Sequence, residues 1–153
     1  MQKILISACF LGCNVRYNAK VKSLSHSLIQ TWHQQGRLLP FCPEVAGGLS
    51  VPRSPAELNL KTSRVINSDG ADVTCEFELG AKQALDLCIK HNIRFALLKE
   101  SSPSCGSKFI YDGSFTGNKI TGQGVTTQLL RLHDIKVFSE LTITQLAKAI
   151  SEL

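Results

Sequence analysis

The 153-residue chain contains no C-x-x-C pair, no Walker loop, no dinucleotide-binding fingerprint and no Ser-His-Asp arrangement. The commonest signatures of structural zinc, dithiol redox chemistry, nucleotide binding and serine hydrolysis are therefore missing. No apolar run approaches the ~18 residues of a membrane span, which predicts a soluble protein. Aromatic residues make up only 7% of the chain, and its seven Phe, two Tyr and one Trp are spread widely. The seventeen Lys and Arg residues are scattered, and with twelve acidic residues they leave a net charge of +5. A nucleic-acid groove clusters basic residues among stacking aromatics. Nucleic acid is thus disfavoured as the main partner, and small anionic or polar ligands are favoured.

Against these absences stand six cysteines. A single domain spanning 1–153 buries roughly 68–70% of the surface its unfolded form exposes, so its core needs no disulfide staples. Residues 4–12 followed by Cys13 loosely imitate the end of a lipoprotein signal. Only twelve residues precede Cys13, however, against about 15–30 in a signal peptide. The expected compartment is the cytoplasm, where cysteines bind metal or do chemistry more often than they form disulfides.

Residues 3–8 form a short apolar run that ends at Cys9-Phe-Leu-Gly12, which fits a strand buried on both faces followed by a turn. Residues 24–35 read as a helix closed by Gly36, and 37–41 as a second strand broken by Cys42-Pro43. Ser54, Pro55 and Glu57 have the form of a capping box and predict a brief helical turn. Asn67-Ser-Asp-Gly70 is a turn signal between extended pieces within 63–74 and predicts a small hairpin. Thr74 then caps a helix whose apolar residues Phe77, Ala81, Leu85, Cys88 and Ile89 share one face. Strands at 93–98 and 135–138 and helices at 125–133 and 142–152 complete the pattern. The alternation predicts an α/β, Rossmann-like three-layer sandwich, with a mainly parallel central sheet and helices on both faces. Residues 101–124 hold five glycines among polar residues and are long for a connection. They predict an active-site loop with a hairpin at 111–116.

Parallel sheets place ligand sites just beyond the carboxyl ends of their strands, and a cysteine falls there three times. Cys9 ends strand one, Cys42 ends strand two, and Cys105 lies a few residues past strand three. Each has a plainer reading as core, because free cysteine is among the most buried residue types. For Cys88 on the apolar helical face that reading is the better one, and Cys75 carries no assigned role. Cys9, Cys42 and Cys105 differ in being flanked by turn-forming Gly or Pro at strand ends, which favours a shared function.

Three convergent thiolates suit zinc or an iron–sulfur cluster. Structural zinc wants four protein ligands, and Cys13 would have to turn back toward Cys9 to supply the fourth. A cubane on three cysteines leaves one iron open as a Lewis acid. Glu44 follows Cys42 by two residues and is either a general acid or base for the same site or a solvated loop carboxylate. Ser101, Ser102 and Ser104 either donate hydrogen bonds at the site or form the turn around Pro103. Gly47-Gly48 permits close backbone approach to a ligand or makes a plain turn, and Gly122-Gln-Gly124 before a helix can form an anion nest. His26, His33, His91 and His133 show no metal-ligand spacing.

Ser7-Ala-Cys-Phe-Leu-Gly12 with Val15-Arg-Tyr17, Cys42-Pro-Glu-Val-Ala-Gly-Gly48, Pro52-Arg-Ser-Pro-Ala-Glu57, Ser102-Pro-Ser-Cys-Gly106 and Tyr111-Asp-Gly-Ser-Phe-Thr-Gly117 occur in order along the chain. Together they resemble the thiouracil desulfidases, long catalogued as a domain of unknown function. The resemblance continues through Gly124-Val-Thr126 and Val137-Phe-Ser-Glu140. It implies a 4Fe–4S cluster on Cys9, Cys42 and Cys105, with the fourth iron binding the sulfur of a small thiolated base that water then replaces. It further implies Glu44 handling the proton, Ser102 assisting, and Ser101 and Ser104 beside the substrate. Asn18 departs from the Asp that commonly follows Arg-Tyr, and Cys13 is a local addition. The rival readings are a thiol enzyme using Cys9 or Cys105, a metal-binding module without catalysis, and the same chemistry on thiolated nucleosides in RNA.

Overall fold

A computed structural model of the protein describes residues 1–12, 17, 18 and 26–153. Cys13, Val15 and Arg16, and the predicted helix start at Leu24, lie outside these residues. The initial apolar run is strand β1 (Ile4–Ser7), with all four residues buried. The chain then winds through a 3-10 turn, Ala8–Leu11, which closes at Gly12 with φ 85°. This left-handed conformation favours glycine. Helix α1 (Ser27–Gln34), strand β2 (Leu38–Phe41) and the one-turn helix α2 (Pro43–Ala46) follow. Strands β3 (Ala56–Asn59) and β4 (Arg64–Asn67) precede the long helix α3 (Thr74–Lys90) and strand β5 (Phe95–Leu97). After them come β6 (Phe109–Tyr111), β7 (Lys119–Thr121), α4 (Val125–Leu132), β8 (Lys136–Phe138) and α5 (Ile143–Ser151).

The main sheet is parallel throughout, in the order β2-β1-β5-β8. Ile4 stands opposite both Leu38 and Phe95. Successive strand residues point to opposite faces, so each strand feeds two cores. Ile4, Ile6, Phe95 and Leu97 pack with Ile29 and Trp32 of α1 and Ile143 and Leu146 of α5. Leu5, Ala96, Leu98 and Val137 pack with Ala84, Leu85 and Cys88 of α3 and Leu130 of α4. Helices thus cover both faces, as expected for near-continuous apolar strands. Pro40 is tolerated because β2 is an edge strand.

Four local expectations change. Residues 54–57 form no helical turn, because Ala56 and Leu58 alternate toward a satellite core with Val65, Phe77 and Ile110. This two-residue period places them in β3, paired antiparallel with β4. The principal hairpin therefore turns at 60–63, whereas the Asn67–Gly70 turn closes only an isolated bridge between Ile66 and Asp72. Thr74 does not cap α3. Its hydroxyl donates to Asp72 Oδ1 at 2.6 Å and accepts from the Val65 N–H at 2.8 Å, while Asp72 Oδ1 takes the Thr74 N–H at 3.0 Å. Of the predicted apolar stripe on α3, Ile89 faces outward, 66% exposed. The late hairpin is present as β6 and β7, its loop spanning 112–118.

Candidate active site

Strands β2, β1 and β5 are neighbours, about 4.8 Å apart from one to the next, and their carboxyl ends lead to Cys42, Cys9 and Cys105 respectively. All three cysteines line one cavity of about 510 Å³. Cys9 sits in the 3-10 turn, and Cys9 and Cys105 are both buried. Cys42 is the residue before α2, and the N–H groups of Glu44 and Val45 point to its sulfur. Two glycines seat this segment. A Cβ on Gly80 of α3 would strike the Pro43 carbonyl, and one on Gly47 would strike the Glu76 carbonyl. Gly47 therefore serves the packing of α2 on α3, and neither Gly47 nor Gly48 lines the cavity.

Burial pushes the Cys42 thiol up, as does the nearby Glu44 carboxylate, with the Val45 N–H and Arg53 opposing. Burial also pushes up the Cys105 thiol, reinforced by the charges of Glu44, Cys42 and Cys9. A thiol held protonated in this way is a poor nucleophile at neutral pH, whereas a metal that replaces the proton removes the penalty. Among the described residues, no group of three His, Cys, Asp or Glu side chains is arranged to hold a single metal ion. Three soft donors delivered by three separate strand ends match a cluster, whose cysteines each bind a different iron. The donor set therefore fits an iron–sulfur group better than one zinc.

Glu44 occupies the first turn of α2, its side chain 19% exposed. Burial pushes its carboxyl above the usual range, against the pull of Arg53 and of the Ser102 hydroxyl. Arg53, itself only 7% exposed, grips Oε1 with Nη2 at 3.2 Å and Nε at 3.3 Å. Ser102 Oγ accepts the N–H groups of Ser104 and Cys105, each at 3.1 Å. Its own proton points to Glu44 Oε2 at 3.5 Å. Ser102 thus forms the turn around Pro103 and faces the carboxylate at once, so its two readings coexist. Oε1 is pinned, and Oε2 is the oxygen that the hydroxyl approaches.

The loop bearing Cys105 is fixed from two sides. Glu100, 5% exposed, accepts the N–H groups of Ser101, Ser107, Lys108 and Phe109 on Oε1 and the Ser107 hydroxyl on Oε2 at 2.6 Å. Burial alone would raise its pKa, but these bonds prevail and hold it at about 2. On the other side, the first N–H groups of α4 donate to Pro103 and Ser104 carbonyls, and Thr127 Oγ1 donates to the Cys105 carbonyl at 2.9 Å. The predicted anion nest before α4 is therefore filled by the protein's own carbonyls. Ser101 and Ser102 line the cavity, but Ser104 does not. Its fully buried hydroxyl pairs with Thr126 Oγ1 at 2.8 Å, and its side chain also hydrogen-bonds Cys105, so it stands behind that cysteine and off the cavity lining.

A family model for 2-thiouracil desulfurase matches residues 4–142. The chain belongs to the 2-thiouracil desulfurase family. A solved structure titled [4Fe-4S]-dependent thiouracil desulfidase TudS (DUF523) is 50% identical, with a TM-score of 0.97 and coverage of 100% of both chains. The chain is also 40% identical over 146 residues to the uncharacterized protein YbbK of Bacillus subtilis (strain 168), covering 90% of this chain and 95% of that one. Desulfurase chemistry is thus the family setting for the cavity.

Several cavity residues of this desulfurase family member escape a reading along the sequence. Arg53 is nine residues from Glu44, and its buried fork is invisible until α2 and the following loop are placed. Lys99, which pairs with Glu140 at 2.8 Å, and Glu57, Tyr111 and Phe115 also line the cavity. Arg53 and Glu57 share one quoted motif and Tyr111 and Phe115 another, whereas Lys99 lies in none.

Proposed function

We propose that this chain removes the sulfur of a small thiolated pyrimidine base such as 2-thiouracil, releasing the oxo base and sulfide. The observation that carries this reading is the convergence of Cys9, Cys42 and Cys105 from three adjacent strand ends onto one cavity that also contains Glu44. These cysteines would hold a 4Fe–4S cluster, the group named for the structural neighbour. When bound, the cluster supplies an iron with an open position, a Lewis acid toward the substrate's sulfur.

The rest of the work falls to the chain. Water adds at the thiocarbonyl carbon and sulfide leaves, with no net oxidation or reduction. Glu44 takes the proton of the attacking water through Oε2, and its raised pKa suits a base that later returns the proton. Arg53 keeps Oε1 engaged, so the carboxylate presents one oxygen. Ser102 orients that oxygen, and Ser101 offers a hydroxyl to the bound base. One domain supplies cluster, pocket and base together, and we place it in the cytoplasm, where the thiols stay reduced.

The test is turnover of 2-thiouracil by anaerobically reconstituted protein, following uracil and sulfide in equal amounts. Equal release supports the reading. Activity that survives iron chelation and is abolished by thiol alkylation would instead identify a thiol enzyme.

A further inference from the structure

Of the non-glycine residues with a left-handed backbone, Ser63, Asn92 and Asp134 lie away from the cavity, whereas Ser101 and Phe115 line it. Phe115 is the anomaly. A bulky residue at φ 58° is strained, and Phe115 is 40% exposed. Neither local propensity nor core packing accounts for it. Such strain persists only where surrounding structure imposes it, and it gathers at ligand sites.

Here the imposing group is visible. Glu57 on β3 accepts the N–H of Gly113 at 2.9 Å and of Phe115 at 3.2 Å on one oxygen. Asp112 closes the same loop by accepting from Ser114 N at 2.9 Å and Asn118 Nδ2 at 2.9 Å. A Cβ on Gly113 would stand 3.4 Å from Asn59 Cβ and 3.5 Å from Asn59 Cα, so the loop lies close over β3. A carboxylate thus holds the hairpin loop that brings Phe115 to the cavity lining, where Tyr17 and Tyr111 also lie.

We propose that Phe115 is the ring-stacking residue for the heteroaromatic substrate and that Glu57 is its positioning residue. The inference rests on the pyrimidine-base reading given above. A flat π face recognises a pyrimidine ring with little regard to its substituents, leaving the sulfur to be distinguished elsewhere in the pocket. Glu57 sets the position of Phe115 through the loop backbone, accepting its N–H groups.

The test begins with the reconstituted wild-type protein and 2-thiouracil, and absence of turnover there overturns the pyrimidine reading itself. Given turnover, Phe115→Leu keeps apolar bulk but loses the π face, and we expect its KM to rise about 5- to 150-fold with kcat nearly unchanged. Phe115→Trp should stay near wild type. Glu57→Ala should raise KM in the same way, whereas Glu57→Gln, which retains an acceptor oxygen, should do so less. An activity-independent readout uses cluster-free protein titrated with uracil. The ring-current shift of the uracil H5 and H6 protons should be present in wild type and Phe115→Trp and lost in Phe115→Leu. Wild-type KM and uracil shifts in Phe115→Leu would overturn the proposal, as would a fall in kcat with KM unchanged in Glu57→Ala.

Discussion

Replacing Glu100 by glutamine removes one charge from the loop that carries Cys105 while leaving its size almost unchanged. In the folded protein this carboxylate takes four backbone N–H groups and a hydroxyl, and its pKa is held at about 2. An unfolded glutamate titrates near about 4.3, and each pH unit of difference is about 1.4 kcal/mol. The ionised form therefore contributes about 3 kcal/mol, a large share of the ~5–15 kcal/mol that holds a typical domain. Because the folded value is the lower one, this stability is fully present above about pH 4.3 and is lost as pH falls toward about 2. Glu100→Gln should unfold about 1–3 M earlier in urea at pH 7, measured by circular dichroism on cluster-free protein. The gap between the two proteins should shrink below about pH 4 and close near pH 2. A gap of equal size at pH 7 and pH 3 would refute the reasoning, since it would assign the effect to shape instead of charge.

Arg53→Lys keeps a positive charge but loses the fork that grips Glu44 Oε1 through Nη2 and Nε; kcat for 2-thiouracil should fall at least about tenfold, measured by sulfide release at saturating substrate. Gly124→Ala places a Cβ against the Ser104 carbonyl group and 2.7 Å from the Cys105 nitrogen. It should cost about 1–3 kcal/mol in urea unfolding and lower the iron bound after reconstitution.

The parts of the fold set by local pattern were legible along the chain. The apolar runs of β1 and β5, the helical periodicity of α3 and the glycine stops fixed which elements exist, and the strand-end positions of Cys9, Cys42 and Cys105 pointed to one edge. The capping-box form at Ser54 misled because a cap is a local signal worth about 1 kcal/mol, whereas burying Leu58 against Val65 and Phe77 is a tertiary gain of about 1.5–3 kcal/mol. Ser104 shows the same limit, because its neighbours in sequence line the cavity while the turn directs its own hydroxyl to Thr126, twenty-two residues away, and its side chain to Cys105. Arg53, Glu57 and Glu100 act on partners supplied by other segments, and no spacing rule carries that information.

The decisive property is which thiols hold the iron. Iron and acid-labile sulfide should be counted on anaerobically reconstituted wild-type protein and on single Cys→Ala variants. About four irons and four sulfides per chain are expected for wild type, Cys75→Ala and Cys88→Ala, with loss in Cys9→Ala, Cys42→Ala and Cys105→Ala. Iron-free wild-type protein that still converts 2-thiouracil, or equal iron loss in Cys88→Ala and Cys105→Ala, would contradict it.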